Sequence, residues 1–186
     1  PTYGAFEDYD EGGDAESLIG YLPPRLRNKT KVFADFPSFM EENFQDEKTR
    51  CPDQVLFVGA GNLDNWAHAF AAIHSRRGDM VSSFAHFLEK RISPNCILRR
   101  DQNLGSKTTM RVGGTALWYA EPYHTEDLRS LVEASNYFSI PRVMLGRGSN
   151  LIIPDEGYKG LVLRLRGEFW NEISSRSDDS FVVGAG

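Results

Sequence analysis

The chain has 186 residues, a formal net charge of -5 and a sequence pI near 5.4. The acidic balance argues against a nucleic-acid groove, because such grooves need clustered Lys and Arg and the basic residues here are scattered. With 40% hydrophobic residues the chain can form packed cores, and it contains no apolar run near the roughly 18 residues of a membrane span. We expect neither a signal peptide nor a membrane-spanning segment. We therefore expect a cytoplasmic protein that acts on small molecules, without nucleic-acid or membrane partners.

The two cysteines, Cys51 and Cys96, lie far apart and form no C-x-x-C motif. Neither a disulfide scaffold nor a zinc site is indicated, and no metal site is predicted. The histidines occur singly beside apolar residues or a helix start, so we interpret them as packing or surface residues without a catalytic role. They are His68, His74, His86 and His124.

The first third of the chain predicts alternating strands and helices. Residues 1–13 are polar and glycine-rich, which indicates a loop, and Asp14 is placed to cap a helix that Pro23 and Pro24 end. The pattern then predicts a strand at 31–35, a helix at 38–44 with Pro37 in its first turn, a buried strand at 54–58 and a helix at 63–74. This order predicts a three-layer α/β unit.

The second predicted strand runs into Gly59-Ala60-Gly61-Asn62. This turn lacks the third glycine of a dinucleotide fingerprint, because Asp64 stands there, and a turn for close packing of strand on helix is the alternative that we favour. The stretches Tyr3-x-Ala5-x-Glu7, Gly12-x-Asp14 and Val55-Leu56-Phe57-Val58-Gly59-Ala60-Gly61-Asn62 resemble the end of the C-terminal domain of UDP-N-acetylmuramate:L-alanine ligase. The resemblance implies L-alanine as a partner, and ATP and Mg as cofactors of ligase parts that are missing from this chain. Glu7 and Asn62 are weak candidates for ligand contact and fit a turn role better.

The middle of the chain predicts a junction and a helix. Residues 75–79 are polar and carry a glycine, and residues 80–92 show an amphipathic pattern that Pro94 and Asn95 end. The stretch Leu104-Gly105-Ser106-Lys107-Thr108 is only superficially similar to a phosphate-binding P-loop, since the Gly-Lys pair is absent and no buried strand precedes it.

The last part predicts a β-β-α-β unit that leads into a glycine-rich turn. Residues 109–112 and 117–120 bracket Gly113 and Gly114 as strand, turn and strand, Thr125 is placed to cap a helix, and the chain returns as a strand at Val143. A turn and a further strand follow in residues 154–165.

The turn between these last strands is a candidate anion cradle. Gly146 and Gly148 can adopt positive φ, and successive backbone amides together with Ser149 and Asn150 can donate hydrogen bonds to phosphate oxygens. Arg147 either adds positive charge or is simply exposed to solvent. Taken alone, the same residues also fit a tight β-turn without a ligand.

Several motifs in this region occur in a characteristic order. They are Thr108-Thr109-Met110-Arg111-Val112-Gly113-Gly114-Thr115-Ala116, Tyr119-Ala120-Glu121-Pro122, Gly146-x-Gly148-Ser149-Asn150-Leu151, Asp155-x-Gly157-x-x-Gly160-Leu161 and Val183-Gly184-Ala185-Gly186. In order and spacing they resemble the flavin-binding domain of UDP-N-acetylenolpyruvoylglucosamine reductase.

This resemblance implies a flavin site and a reaction. FAD would be bound by the residues of the glycine turn, namely Leu145, Gly146, Arg147, Gly148, Ser149, Asn150 and Leu151, with Arg111 as a weaker candidate near the cofactor. NADPH would drive the two-electron reduction of a UDP-sugar enol ether. The family's general acid, arginine and glutamate follow the last motif, so no catalytic residue is placed in this chain.

Together the two resemblances predict an internal fragment of a bifunctional peptidoglycan-precursor enzyme. The predicted fold class is α/β: residues 1–76 end a three-layer Mur-ligase C-terminal domain, residues 77–106 form a linker and helix, and residues 107–186 begin an α+β FAD-binding domain of the PCMH/VAO type. Another flavin oxidoreductase of the same fold and a non-catalytic binding module are the alternatives. The sequence gives no indication of the oligomeric state.

Overall fold

The computed structural model describes residues 15–44, 55–57, 63–76, 79–177 and 180–186. Its contacts divide the chain into two compact units, Pro1–His74 and Ser75–Gly186. Among the described residues, no helix combines the length and the apolar character that crossing a membrane requires.

The described part of the first unit is helical. Its helices are α1 (Ala15–Tyr21), α2 (Pro24–Arg27), α3 (Phe36–Phe44) and α4 (Leu63–Ser75). Pro24 opens α2, where its missing N–H costs nothing, and the Asp35 carboxylate accepts hydrogen bonds from the Ser38 amide at 2.9 Å and hydroxyl at 2.6 Å at the start of α3. Aromatic rings form the core of this unit, through contacts among Phe33, Phe36, Phe39, Phe57, Trp66 and Phe70.

Two strand predictions in this unit are wrong for the described residues. Residues 31–35 form no strand and lead into α3, and residues 55–57 form none either, with Leu56 84% exposed. A strand needs a neighbour to complete its hydrogen bonds, and the described residues of this unit contain no strand that could pair with it. The predictions for Glu7, Asp14, Cys51, Gly59-Ala60-Gly61 and Asn62 lie outside the described residues.

The second unit combines a mixed sheet with helices. Its elements are α5 (Met80–Leu88), β1 (Ile97–Asn103), β2 (Thr115–Glu121), α6 (Thr125–Tyr137), β3 (Arg142–Met144), β4 (Tyr158–Leu163), α7 (Glu168–Asn171), β5 (Ile173–Ser177) and β6 (Ser180–Val183). The main sheet has the order β1-β2-β4-β3, in which β1 is antiparallel to β2 and the other pairs are parallel. Strands β5 and β6 form a separate antiparallel pair.

The structure corrects the predicted order of strands around Gly113 and Gly114. The first strand is β1, inside the stretch predicted as linker and helix, whereas residues 109–112 form a loop. Strand β1 has the sequence Ile97-Leu98-Arg99-Arg100-Asp101-Gln102-Asn103, and it lies at the edge of the sheet. An edge strand tolerates polar side chains on both faces, so the alternation that marks a half-buried strand is absent.

Two helix boundaries also differ from the predictions. Helix α5 ends at Leu88 and not at residue 92. Helix α6 is capped by His124 and not by Thr125, since the His124 side chain accepts from the Asp127 amide while the Asp127 carboxylate accepts from the His124 amide. This reciprocal capping box fixes the helix start one residue earlier than the threonine suggested.

The two faces of the main sheet are covered differently. One face packs against α5 and α6, where the ring of Trp118 contacts Phe84, and Phe84 and Phe87 contact Phe138. The other face carries a buried cluster made of Leu104, Ala116, Tyr119, Leu145, Ile153 and Val162. Ala116 and Tyr119 are an odd number of residues apart and still share this face, because the register of β2 shifts between Ala116 and Trp118.

Asp127 is a fully buried carboxylate that joins the start of α6 to the loop after α5. Its oxygens accept hydrogen bonds from the amide of Ser93 at 2.6 Å, the hydroxyl of Ser93 at 2.8 Å and the amide of Tyr123 at 3.0 Å. Burial by itself raises the pKa of Asp127, but the hydrogen bonds from Ser93 and Tyr123 and the neighbouring His124 outweigh it and hold the pKa below its ordinary value. The side chain is therefore a charged acceptor in the folded protein.

The same surroundings predict that the Cys96 thiol reacts slowly with alkylating reagents. Burial and the negative charge of Asp127 raise the pKa of Cys96 to about 12, against the opposing hydrogen bond from the Tyr123 amide. Because the thiolate is the nucleophile, alkylation of Cys96 at pH 8 should be on the order of 1,000-fold slower than in the unfolded chain. Mass spectrometry of the peptide that contains Cys96, after timed iodoacetamide treatment with and without denaturant, measures this ratio. Equal rates in both conditions would contradict the buried environment.

Candidate functional site

The candidate site lies at the edge of the main sheet where the parallel strands end. Strands β2, β3 and β4 finish there at Glu121, Met144 and Leu163, and the Leu145 amide donates to the Leu163 carbonyl at 2.7 Å. Ligands of open α/β sheets characteristically bind outside the carboxyl ends of the strands. The glycine turn starts at this edge.

Two long loops cover the cluster face of the sheet and contact each other along their length. We call them the first loop, residues 104–114, and the second loop, residues 145–157. The Thr109 amide donates to the Gly148 carbonyl at 3.0 Å, and the Gly114 amide donates to the Pro154 carbonyl at 2.9 Å. Leu104 and Ile153 anchor one loop each in the buried cluster. The shape of the glycine turn is thus set by both loops.

The sequence allows positive φ at both glycines of the turn, and in the structure only one of these two glycines has it. Gly148 has φ +69° and is packed so closely that a Cβ there would lie 2.7 Å from the Lys107 carbonyl oxygen and 2.9 Å from the Thr108 Cα. Gly146 does not have positive φ, and a Cβ built on it meets no atom within 4 Å. Gly148 therefore serves the packing of the two loops, while the space in front of Gly146 is open.

The backbone amides of the turn have free donor capacity. Among the described residues, none accepts a hydrogen bond from the amides of residues 146–150. Arg147, Ser149 and Asn150 are exposed, whereas Leu145 is buried and holds the start of the turn in the core. A row of unpaired amides on a fixed support is what an anionic group needs for binding.

Arg111 is less closely connected to the turn than the other predicted residues. It is exposed and lies in the first loop with φ 56°, and its amide donates to the Thr108 carbonyl at 3.4 Å. No hydrogen bond or ion pair joins its side chain to another described residue. Residues 145–151 lie together because they are consecutive in the sequence. Arg111 contacts Thr108, which packs against Gly148, and has no closer link to the turn among the described residues.

A polar network beside the turn was not predicted from the sequence. The Tyr119 hydroxyl donates to the Glu121 carboxylate at 2.5 Å, and the Lys107 ammonium lies 3.9 Å from the same carboxylate oxygen and 5.0 Å from the centre of the Tyr119 ring. Burial and the neighbouring Glu121 raise the pKa of Tyr119, and the Arg164 guanidinium opposes this effect. The phenol is therefore neutral and donates. These groups are separated in sequence, so no local motif predicts that they lie together. They are Lys107, Tyr119, Glu121 and Arg164.

A second glycine turn lies at the same edge of the sheet. The Trp170 indole N–H donates to the Pro122 carbonyl at 2.7 Å, next to the end of β2. The Gly186 amide donates to the Trp170 carbonyl at 2.8 Å, and a Cβ on Gly184 would collide with that carbonyl. The motif that ends the chain thus folds onto Trp170 near the end of β2.

No protein-family model matches the chain. Over parts of its length the chain has homologues named UDP-N-acetylenolpyruvoylglucosamine reductase, at 31–45% identity. That of Treponema pallidum is 38% identical over 96 residues, which is 52% of this chain and 27% of the relative. The reductase of Synechocystis sp. is 44% identical over 70 residues, 38% of this chain and 22% of the relative, and reductase 2 of Symbiobacterium thermophilum is 42% identical over 72 residues, 39% of this chain and 23% of the relative. The chain spans about a quarter of the length of the curated relatives it matches.

Proposed function

We propose that the second unit binds FAD, with the pyrophosphate held by the amides of the turn at residues 146–151. The observation that carries the proposal is the row of unpaired amides at the carboxyl edge of the sheet. A pyrophosphate offers several charged acceptors, which suits a row of donors better than any single side chain does. The open space at Gly146 leaves room for it.

Each residue of the turn has a role in this proposal. Leu145 and Leu151 bound the turn, Gly146 and Gly148 allow close approach and the required backbone shape, and Ser149 and Asn150 add side-chain donors. Arg147 adds a positive charge at the exposed rim, and Arg111 is a more distant contributor. FAD, when bound, would supply hydride chemistry, while this part of the protein binds and orients the cofactor.

We further propose that the whole protein reduces UDP-N-acetylenolpyruvoylglucosamine to UDP-N-acetylmuramate with NADPH, as a cytoplasmic enzyme of peptidoglycan-precursor synthesis. The homologues that carry the reductase name support this activity. The general acid and the remaining catalytic groups are proposed to lie outside this chain. A different flavin oxidoreductase and a non-catalytic module are the competing functions.

The deciding experiment uses the full-length gene product. We expect its visible spectrum to show bound flavin as purified or after addition of FAD, and we expect NADPH oxidation only when UDP-N-acetylenolpyruvoylglucosamine is present. Bound flavin without that dependence would favour another oxidoreductase. A protein that takes up no FAD would exclude the flavin site and favour the non-catalytic module.

The motifs in the first unit support a separate proposal, a fused ligase that adds L-alanine to UDP-N-acetylmuramate with ATP and Mg. The reductase would make the substrate of the ligase, so the two activities are chemically consecutive. ADP release that requires both UDP-N-acetylmuramate and L-alanine tests this proposal in the same preparation. ADP release independent of L-alanine would rule out the ligase activity.

Gly146 offers a test of the turn that leaves the fold intact. We expect Gly146→Val to weaken FAD binding by about 10-fold to 100-fold, because its side chain would fill the open space at Gly146 that we assign to the pyrophosphate and would cost one or more charged hydrogen bonds. The thermal unfolding midpoint of the FAD-free protein should stay within about 2 °C of the parent, since a surface substitution without strain is nearly neutral. FAD titration by fluorescence quenching measures the affinity, and parental affinity would show that the amides of this turn do not hold the cofactor.

A further inference from the structure

The side chain of Lys107 has an unusual position for an ammonium group. It is only 21% exposed, yet its nearest carboxylate oxygen, on Glu121, lies at 3.9 Å, which is beyond hydrogen-bond distance. The ammonium also lies over the face of the Tyr119 ring. Within the part of the chain that the structure describes, no residue accepts a hydrogen bond from this partly buried ammonium, and a charge withdrawn from water is favoured when it has such an acceptor.

The backbone of the same residue supports the glycine turn. The Lys107 carbonyl oxygen is the atom nearest to where a Cβ of Gly148 would stand, at 2.7 Å. The residue thus contacts the turn through its main chain while its ammonium keeps donor capacity. The Glu121 carboxylate accepts the short hydrogen bond from Tyr119, and the Lys107 ammonium lies farther from the same oxygen, at 3.9 Å.

The charges of the network add up to an excess of positive charge. Lys107 and Arg164 carry one positive charge each, Glu121 carries one negative charge, and Tyr119 is neutral. Lys107 and Glu121 are only partly exposed, and at such places the attraction between this excess and a bound anion is screened less than at an open surface.

From these contacts we infer that Lys107 is a binding residue for the anionic group of the ligand, which its ammonium contacts when the ligand occupies the glycine turn. Glu121 and Tyr119 hold the ammonium in position until then, through the loose ion pair and the ring face. The inference rests on the proposed FAD site and adds to it a charged residue that the glycine motif does not contain.

The alternative is that Lys107 only supports the first loop. In that case any substitution that shortens or removes the side chain would destabilise the unit, and a positive charge would not be needed for ligand binding. The two roles differ in whether charge or packing matters, so a pair of substitutions that separates them is decisive. Lys107→Met keeps the apolar length without the charge, and Lys107→Arg keeps the charge.

The experiment measures the dissociation constant of FAD for the full-length parent protein and for Lys107→Met, Lys107→Arg and the exposed control Lys159→Met. We expect Lys107→Met to bind FAD about 10-fold to 100-fold more weakly, Lys107→Arg to bind within about 3-fold of the parent and Lys159→Met to be unchanged. Raising the ionic strength should weaken FAD binding to the parent more than to Lys107→Met, because the variant lacks the screened charge.

Each result has one meaning. Equal FAD affinity of the parent and Lys107→Met would overturn the inference while leaving the FAD site itself intact. A weakened affinity accompanied by an equal loss for Lys107→Arg, and by a lowered unfolding midpoint of both FAD-free variants, would assign Lys107 to loop support and would also overturn it. A parent protein that binds no FAD would remove the proposed function first and this inference with it.

Discussion

Replacing Asp127 by alanine is expected to lower the free energy of unfolding of the second unit by about 3–5 kcal/mol. The substitution removes a fully buried acceptor that binds two donors on Ser93 and the Tyr123 amide, in hydrogen bonds that are partly buried. Each buried donor left without a partner costs about 1–3 kcal/mol. Chemical denaturation of the full-length protein, followed by circular dichroism, measures the change.

A neighbouring carboxylate provides the control for this substitution. Glu126 precedes Asp127 on α6, but its side chain is 66% exposed and forms an ion pair with Arg129 at 3.2 Å. Exposed pairs of this kind contribute little, so Glu126→Ala should shift the unfolding midpoint by less than about 3 °C. A loss as small as this for Asp127→Ala would contradict its role as the buried acceptor.

The lowered pKa of Asp127 also fixes the sign of a pH effect. A carboxyl group whose pKa is depressed in the folded state stabilises the fold above its ordinary pKa of 3.8, and this stabilisation is lost as the pH falls through the folded value. The parent protein should therefore lose stability below about pH 4 by more than Asp127→Asn does. Parallel losses in both proteins would show that other carboxylates account for the effect.

Gly148→Val is expected to abolish FAD binding, with an affinity reduced by more than about 1,000-fold. The valine would have to adopt φ +69°, which β-branched residues avoid, and its Cβ would meet backbone atoms of Lys107 and Thr108 that cannot rotate away. The first loop would separate from the second, and the amides of the turn would no longer face one ligand. Visible absorbance of the purified protein and FAD titration measure the loss.

Two controls separate the causes of this loss. Gly167 also has positive φ, at 112°, but a Cβ there meets nothing within 4 Å, so Gly167→Ala tests backbone strain without a collision. Gly146→Val tests a side chain near the same amides without strain. If Gly148→Val bound FAD as the parent does, the glycine turn would not be the cofactor site.

Local sequence patterns were sufficient to predict the elements that have apolar side chains at buried positions and polar side chains at exposed ones. Helix α6 has its apolar positions at helical spacing, and strand β4 ends in the buried apolar run Leu161-Val162-Leu163, as expected for a strand between two others. Strand β1 was missed because its polar sequence satisfies an edge position, where only backbone pairing is required. The strand predicted at 109–112 was wrong because its backbone contacts the second loop and not a sheet.

The candidate site was only partly predictable for a related reason. The glycine turn is continuous in sequence, so residues 145–151 could be proposed directly, and their role in FAD binding stays a prediction. Lys107, Glu121 and Arg164 come together only after the sheet has formed, and no spacing rule links them. The function of Gly148 in packing was also hidden, because a glycine needed for close contact and a glycine needed for a ligand look the same in a sequence.

The contact between the first and second loops limits how the glycine motif can be transferred. The Thr109 amide donates to Gly148 of the turn, and the Gly114 amide donates to Pro154, farther along the second loop. Grafting residues 145–151 alone onto another sheet would transfer the sequence of the motif without the first loop that fixes its conformation. The structural unit of this site is therefore the pair of loops. Insertions in the first loop would change the backbone conformation of the second loop, as substitutions within the motif itself would.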